Sequence, residues 1–246
     1  MTDNFIDTWF SFEASPIKSQ EEMLSAKRVF DKRYFRPHNM HVGQEQVLHH
    51  ILSKEIEGDI VELGCSRGNN TLSFANFLNS QGATDKVIYG FDNFTGYTKE
   101  DIEDSLQRYT DPKIIEDLQE NQETGRWNVD ENSIKDKIKE KGYEDFVKIV
   151  TGDIGETTKD FVPKSGKISM LYIDCNAYGA SKAGIENLKK YFSNGCLVFS
   201  DSGFYPPPVE LTGEHEALLE YQKSSKNQMF RTYLGDYMAF FVEVTE

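Results

Sequence analysis

The chain has 246 residues, a formal net charge of −14 at pH 7 and a sequence pI of about 4.9. This acidic balance disfavours nucleic acids and anionic membranes as partners. The sequence contains no run of about 18 apolar residues that could span a membrane, and its first residues lack the basic and apolar regions of a signal peptide. Its cysteines, Cys65, Cys175 and Cys196, form no Cys-x-x-Cys pair. We therefore expect a cytoplasmic protein with reduced, buried thiols.

The N-terminal residues 1–57 show a helical pattern. Apolar side chains recur among charged ones, and Val47, Leu48, Ile51 and Leu52 follow helical spacing. The pattern predicts an N-terminal helical cap over 1–57 and a main domain over 58–246.

Apolar runs typical of strands then alternate with helical patterns. The runs cover residues 59–63, 87–91, 146–150, 168–173 and 196–199. This alternation predicts an α/β fold with a parallel sheet and helices on both faces. Near the C-terminus, runs 229–234 and 237–244 flank Gly235-Asp236, which is a hairpin signal. We therefore predict a seven-stranded, mostly parallel sheet whose last strand is antiparallel.

A long segment between the second and third predicted strands, residues 95–145, interrupts this alternation. From Lys99 to Asp145 it contains 15 acidic and 8 basic residues. Connections in α/β folds are usually much shorter. The simpler interpretation is a solvated helical cover. The alternatives are a substrate lid or a subunit contact, the latter implying a homo-oligomer.

The segment after the first strand has the form strand, glycine turn, helix. The apolar run carries Glu62, breaks at Gly64 and Gly68, and leads into an amphipathic helix. Such turns present backbone N–H groups to a ligand. The spacing matches neither the dinucleotide G-x-G-x-x-G motif nor a P-loop. An acid just before the first glycine favours a ligand with a cationic part. Glu62 can meet an ammonium group of that ligand or organise the loop.

An acidic residue stands at or just after the end of each of the first five predicted strands, where open parallel sheets bind ligands; in the first strand it is Glu62. Asp92 follows the second strand, Asp153 the third, Asp174 the fourth and Asp201 the fifth. A single aspartate here is commonly a helix cap, but the whole series is hard to explain as caps alone. Asp92 is placed to accept ribose hydroxyls, Asp153 to accept from an adenine amine, and Phe94 or Tyr97 to pack the base. Together with Glu62 they indicate an adenosine carrying a cationic amino-acid tail.

Several stretches, spread over roughly residues 40–204, resemble class I S-adenosylmethionine-dependent O-methyltransferases. Residues 40–44 (Met-His-Val-Gly-Gln), followed by a helix and Glu62-Leu63-Gly64, are similar to the entry segment of catechol O-methyltransferase. Residues 91–96 (Phe-Asp-Asn-Phe-Thr-Gly) resemble the Phe-Asp-Ser-Phe-x-Gly of the macrocin O-methyltransferase family. Residues 174–181 and 194–201 resemble that family's Asp-Gly-Asp-x-Tyr-x-Ser-Thr and Pro-Gly-Gly-x-Ile-x-x-Asp-Asp segments. The resemblance implies a Rossmann-like fold.

The resemblance also implies binding roles for residues at the strand ends. The cofactor S-adenosylmethionine would be bound by Val42, Glu62, Gly64, Ser66, Asn70, Asp92, Asn93, Phe94, Asp153 and Asp174. In both relatives Mg²⁺ is held by the acid after the fourth strand and two residues after the fifth. Those positions here are Asp174, Asp201 and Ser202. Magnesium prefers hard oxygen ligands, and Ser202 replaces the acid or amide of the relatives.

The general base of neither relative is retained. The macrocin-type position is Asn176, which accepts no proton at neutral pH, and the catechol-type lysine position is Ala177. The remaining candidates for the base are His215, Tyr178, His41 and His38. His215 follows a proline-rich turn and has an acid on each side, which would raise its pKa. The catalytic set is therefore predicted as Asp174, Asn176, Tyr178 and His215.

These features together predict methyl transfer to a hydroxyl of a small natural product, such as a sugar or polyketide intermediate, assisted by Mg²⁺. The first alternative is a metal-independent N- or C-methyltransferase, which the loss of both family bases favours. The second is a non-catalytic cofactor-binding subunit, against which the strand-end acids argue. A dehydrogenase is a third alternative, and the glycine spacing disfavours it.

Overall fold

The computed structural model describes residues 42–108, 116, 119–120, 123–200, 213–225, 228–234 and 237–243. All of them belong to one compact unit, residues 38–246. The helices predicted within residues 1–41 lie outside the described residues. No helix among the described residues is long and apolar enough to cross a membrane.

Helices and strands alternate along the described chain. In order they are α1 (Val42–Ser53), β1 (Asp59–Leu63), α2 (Asn69–Ser80), β2 (Ile88–Asp92), α3 (Lys99–Arg108), α4 (Glu131–Glu140), β3 (Val147–Thr151), α5 (Ile154–Thr157), β4 (Ile168–Ile173), α6 (Tyr178–Leu188), β5 (Phe192–Ser200), α7 (Gly213–Ser224), β6 (Gln228–Leu234) and β7 (Tyr237–Glu243). A short 3₁₀ turn, Lys189–Tyr191, joins α6 to β5.

The described strands form one sheet in the order β3-β2-β1-β4-β5-β7-β6. Strands β1 to β5 pair in parallel. The prediction of an α/β fold built on a parallel sheet is confirmed. Strand β7 pairs antiparallel with both β5 and β6, and so lies between them.

The central strands are apolar because both of their faces are covered. All residues of β1 and β4 are buried, as expected for a parallel sheet between two layers of helices. Strand β5 begins at Phe192, four residues before its predicted start, and includes Gly195 with a φ of 78°. The pairing of β4 with β5 shifts register here. The left-handed glycine and the shift in register make β5 irregular at this point.

Helix α1 packs within the same unit as the sheet. Val47, Leu48 and Ile51 are fully buried, and the ring of His49 meets that of Phe77 in α2 edge-on, with centroids 4.8 Å apart. Helix α1 therefore lies in the same compact unit as the sheet.

The insertion, residues 95–145, contains helices α3 and α4. Ile134 and Ile138 are the buried side chains of α4. Ile134 packs against the glycine turn after β1, because a Cβ built on Gly68 would stand 2.7 Å from Ile134 Cγ2. The insertion is therefore attached to the loop that the sequence identifies as the ligand-binding turn.

Candidate active site

A cavity of about 280 Å³ lies at the carboxyl ends of β1 to β4. Two sets of residues line it. The first set, here called the strand-end wall, comprises Gly64, Cys65, Ser66, Arg67, Asn69, Asn70, Asp92, Asn93, Asp153, Ile154, Asp174, Cys175, Asn176, Ala177 and Ala180. The second set, here called the insertion wall, comprises Gly96, Tyr97, Asp101 and Trp127.

The turn after β1 is built around a close approach of two strand ends. Gly64 has a φ of 89°, and a Cβ at this position would lie 2.2 Å from the backbone oxygen of Asp174. Only glycine fits here without moving the backbone. Ser66 also has a positive φ, 43°. The turn therefore has a backbone conformation that residues with a side chain rarely adopt.

Asp92 fastens this turn to the end of β2. Its Oδ2 accepts a 2.7 Å hydrogen bond from the backbone N–H of Ser66, and its Oδ1 accepts one of 2.7 Å from the N–H of Phe94. Burial raises the pKa of Asp92 above its usual value, and these backbone donors oppose that rise. Each carboxylate oxygen can accept a further hydrogen bond from a ligand in the cavity.

Glu62 does not belong to the cavity lining. It is fully buried, and its Oε2 accepts a hydrogen bond from Thr71 Oγ1 in α2. Of the two roles that the sequence suggested for Glu62, meeting an ammonium group or organising the loop, this position supports the second.

Asn70 connects three parts of the site. Its Nδ2 donates to Asp174 Oδ2 at 3.0 Å, and its Oδ1 accepts from Gln44 Nε2 of α1 at 3.3 Å. The start of α2 is thereby joined to the end of β4 and to α1. Val42, also predicted as a cofactor residue, is the first residue of α1.

The loops after β2 and β3 contribute three further predicted cofactor residues. Asn93 shapes its turn, accepting from Thr95 N–H and donating to the carbonyl of Gly96. Phe94 is buried beneath the turn, 6% exposed, and is not among the lining residues. Asp153 lines the cavity and also caps α5, accepting from the N–H of Glu156 at 2.9 Å.

The four predicted catalytic residues are divided between two places. Asp174 and Asn176 line the cavity. Asn176 has a φ of 55°, and its N–H donates to Glu214 Oε2 at 2.9 Å. His215 and Tyr178 are not among the lining residues.

His215 is 2% exposed, and its Nδ1 lies 3.2 Å from Ser200 Oγ. The Tyr178 hydroxyl donates to Glu220 Oε2 at 2.7 Å and accepts from Lys182 Nζ at 2.7 Å. Both side chains therefore contact protein groups in and around α6 and α7. His38 and His41 lie outside the described residues.

The insertion wall is the part of the site that sequence reasoning largely missed. Tyr97 was considered for packing the base, but Gly96, Asp101 and Trp127 were not assigned to the site. The sequence around Asp101 does contain a local motif, which marks the start of a helix. Thr98 and Asp101 form a reciprocal cap, in which Thr98 Oγ1 accepts from Asp101 N–H at 3.1 Å and Asp101 Oδ2 accepts from Thr98 N–H at 2.9 Å. The sequence Thr-x-x-Asp is a start signal for helix α3.

The predicted magnesium site is only partly described. Asp174 lines the cavity, whereas Asp201 and Ser202 lie outside the described residues. Within the described residues, no group of three or more histidine, cysteine, aspartate or glutamate side chains is arranged to hold a metal ion.

Solved structures with this fold include several methyltransferases. The structure of the O-methyltransferase NovP shares 19% identity, covering 80% of this chain and 77% of its own, with a TM-score of 0.63. The calicheamicin methyltransferase CalS11 shares 20% identity, covering 96% and 89%, with a TM-score of 0.61. An O-methyltransferase from Bacillus cereus shares 12% identity, covering 97% of each chain, with a TM-score of 0.52. At sequence identities this low, the structural similarity shows that the fold is shared.

Comparison with curated proteins gave no match. A family model described as a methyltransferase domain matches residues 61–202. This match runs from β1 through β5 and includes all the lining residues described above. The chain therefore belongs to the methyltransferase-domain family and is an S-adenosylmethionine-dependent methyltransferase.

Proposed function

We propose that this enzyme transfers the methyl group of S-adenosylmethionine to a hydroxyl of a small natural product. The main support for the proposal is that the glycine turn and the acids that follow β2, β3 and β4 line the same cavity. This edge of a parallel sheet is where α/β enzymes bind nucleoside ligands.

The lining chemistry fits the cofactor. Among the described lining residues, the carboxylates Asp92, Asp101, Asp153 and Asp174 accompany the guanidinium of Arg67. An excess of negative charge suits a ligand that carries a sulfonium and an ammonium group. Under this proposal Asp92 accepts the ribose hydroxyls, Asp153 lies at the adenine and Asp174 lies near the amino-acid tail.

The reaction is an in-line displacement. The acceptor oxygen forms a bond to the methyl carbon while the carbon–sulfur bond breaks, leaving a neutral thioether, and the hydroxyl proton must pass to a base. The enzyme contributes chiefly by holding the acceptor oxygen and the methyl group in line.

Of the predicted catalytic residues, Asp174 is the ionisable one that lines the cavity. Where no metal is bound, we propose that Asp174 receives the hydroxyl proton. Asn176 would orient the acceptor by hydrogen bonding.

The activities of two structural relatives support the acceptor class. CalS11 is described as a TDP-rhamnose 3'-O-methyltransferase of calicheamicin biosynthesis, and NovP as an O-methyltransferase. Within this class we propose a sugar or polyketide intermediate as the acceptor.

Magnesium assistance is a further part of the proposal. Asp174, Asp201 and Ser202 would hold the ion, which would lower the pKa of the acceptor hydroxyl when bound. If so, a chelator stops turnover and added Mg²⁺ restores it. Full activity in the chelator contradicts this part alone.

The direct test is transfer of labelled methyl from S-adenosylmethionine into hydroxyl-bearing sugars and polyketides. NMR of the product then identifies the methylated atom. Label on oxygen supports the proposal. Failure of the protein to bind S-adenosylhomocysteine in calorimetry would overturn it.

The positions of His215 and Tyr178 favour a second candidate, methylation of an amine. Neither residue is among those lining the cavity, and Asn176 occupies the base position of the relatives. A neutral amine attacks through its own lone pair and needs no strong base before the methyl group moves. Label on nitrogen, with activity unaffected by the chelator, would select this candidate.

A further inference from the structure

Glu214, the second residue of α7, is fully buried and is not among the residues that line the cavity. Removing a carboxylate from water is costly, and glutamate is seldom fully buried without a partner. One group that this carboxylate meets is the backbone N–H of Asn176, which donates to Glu214 Oε2 at 2.9 Å. Asn176 does line the cavity. This hydrogen bond therefore connects a buried acid to the candidate active site.

The first turn of α7 approaches the loop after β4 closely. A Cβ built on Gly213 would lie 2.5 Å from the backbone nitrogen of Tyr178 and 3.0 Å from the carbonyl oxygen of Asn176. A side chain at this position would push the helix and the loop apart. The N-terminal end of a helix also favours a negative charge, which suits Glu214. Helix α7 is therefore joined to this loop by a close backbone approach and by one charge-assisted hydrogen bond.

Asn176 has a backbone conformation that needs such support. Its φ of 55° lies in the left-handed region, which is unfavourable for residues other than glycine, although asparagine tolerates it better than most. Residues in such conformations persist where their surroundings hold them. Within the loop, the N–H of Ala177 donates to the carbonyl of Cys175 at 2.6 Å. From outside the loop, Glu214 holds the N–H of Asn176 itself.

Asp174, at the start of the same loop, is held from a different side. Its backbone N–H donates to the carbonyl of Leu63 at 2.8 Å, and its Oδ2 accepts from Asn70 Nδ2 at 3.0 Å. These partners belong to β1 and α2, which flank the glycine turn. The residues around the glycine turn therefore hold Asp174, whereas α7 holds Asn176. A change at Glu214 should reach Asn176 and spare Asp174.

We propose that Glu214 is a positioning residue for methyl transfer, which holds the left-handed backbone of Asn176 so that the amide side chain meets the acceptor. This inference rests on the proposed function, in which Asn176 orients the acceptor by hydrogen bonding. Because Glu214 does not line the cavity, it acts through Asn176 and does not touch the acceptor. The two residues are 38 positions apart, so their contact appears only with the fold.

The test compares Glu214→Met with Glu214→Gln in the labelled-methyl assay, using a hydroxyl-bearing sugar or polyketide that the wild type methylates. Methionine has a similar size but offers no oxygen to the Asn176 N–H, whereas glutamine keeps one. We expect kcat/KM for the acceptor to fall about tenfold in Glu214→Met and to recover most of its value in Glu214→Gln. The KM for S-adenosylmethionine and the affinity for S-adenosylhomocysteine should stay at their wild-type values.

The stability of the variants separates positioning from a general structural role. Apolar residues of similar volume often replace buried charged groups without loss of stability. We therefore expect Glu214→Met to unfold at a denaturant concentration close to that of the wild type. Glu220→Met is the matched control, because it makes the same substitution on α7 and removes an acid that accepts from the Tyr178 hydroxyl of α6 at 2.7 Å. Its kcat/KM should equal that of the wild type.

Exchange of the Asn176 backbone amide proton, followed by NMR, tests the contact without any acceptor. It should be faster in Glu214→Met than in the wild type, and close to the wild-type rate in Glu214→Gln.

Several outcomes overturn the inference while the proposed function stands. They are wild-type kcat/KM or wild-type Asn176 exchange in Glu214→Met, an equal loss of kcat/KM in Glu214→Gln or in Glu220→Met, and a parallel loss of stability and S-adenosylhomocysteine affinity. If the wild-type protein transfers label to no hydroxyl, the proposed function fails and this inference fails with it.

Discussion

The two walls of the cavity are held in place by different kinds of interaction. The strand-end wall continues directly from the parallel strands, of which β1 and β4 are fully buried. Its hydrogen bonds join residues far apart in sequence, such as Ser66 to Asp92 and Asn70 to Asp174. Side chains of the insertion wall are held by local bonds, such as those between Thr98 and Asp101. Local contacts open at lower free energy than buried long-range ones.

This difference corresponds to two functional demands. The cofactor is the same compound in every turnover, so the wall that binds it can be held rigidly by the sheet. The acceptor has to enter and leave the cavity, so the wall that it passes must be able to open. Two of the attachments between the described residues of the insertion and the rest of the unit can be separated by experiment. One is Ile134 against Gly68, and the other is Arg108 against α6 and α7.

The largest effect is expected from Asp92→Ala in the strand-end wall. The substitution leaves the N–H groups of Ser66 and Phe94 without their carboxylate and removes the proposed ribose acceptor. Two ribose hydroxyls would lose a charged acceptor, at about 1.5–3 kcal/mol for each hydrogen bond, so we expect S-adenosylhomocysteine to bind about a thousandfold more weakly in calorimetry. Asp136→Ala, an exposed carboxylate of α4, is the control and should bind normally. Affinity within a few-fold of the wild type would remove the ribose assignment of Asp92.

Gly64→Ala tests the backbone of the same wall. The left-handed φ costs about 1–2 kcal/mol, and the new Cβ would collide with the carbonyl of Asp174, so we expect unfolding free energy to fall by about 3 kcal/mol in denaturant titration. Gly82→Ala is matched in φ, 69°, but its Cβ meets nothing within 4 Å. It should lose only the conformational part. Equal losses would mean that the strand ends do not need this close approach.

The strand-end wall could be predicted because its signals are local. Apolar runs broken by Gly64, Asp92, Asp153 and Asp174 mark strand ends, and parallel strands bring those ends to one edge of the sheet. The predicted and observed strand boundaries agree closely. Strands β1 and β4 have their predicted bounds, and β2 begins one residue later than predicted.

The insertion wall and the placement of the candidate bases could not be predicted in this way. The hydroxyl of Tyr178 is bonded to Glu220, 42 residues away, and no periodicity encodes that pairing. The acids beside His215 suggested a raised pKa, but burial of the ring beside Ser200 depends on how α7 packs on the sheet. Trp127 lines the cavity beside the pairing of Thr95 with Asn128. These two residues are 33 positions apart, and a linear pattern does not show their contact.

Ile134→Ala tests the buried attachment between the two walls. Ile134 is fully buried, and its truncation should lower the unfolding free energy by about 2–3 kcal/mol. Ile138→Ala is the matched control on the same helix, because Ile138 is also buried but is not among the atoms nearest to Gly68. Both variants should be less stable, but only Ile134→Ala should also weaken S-adenosylhomocysteine binding, since it removes support from the glycine turn. Equal affinity in the two variants would show that the turn holds its shape without α4.

The smallest effect is expected from Arg108→Met, which tests the surface attachment of α3. The Arg108 guanidinium lies 3.4 Å from the ring centroid of Tyr178, 2.7 Å from Asp104 Oδ2 and 3.0 Å from Glu216 Oε2. Because the side chain is partly exposed, we expect a loss of only about 1 kcal/mol in unfolding free energy, shrinking at high salt. Methionine retains the apolar part of the side chain, so the substitution measures the contribution of the charged guanidinium to stability.

Hydrogen exchange distinguishes this attachment from an ordinary surface ion pair. Amides of residues 99–108 should exchange faster in Arg108→Met, while those of α4 keep their rates because Ile134 still anchors that helix. Lys159→Met is the control, since its 2.6 Å ion pair with Glu156 joins neighbouring turns of one exposed segment. It should leave exchange in α3 unchanged. If Arg108→Met also leaves α3 at wild-type rates, the insertion wall is held by its local bonds and by Ile134, and it opens as one piece with α4.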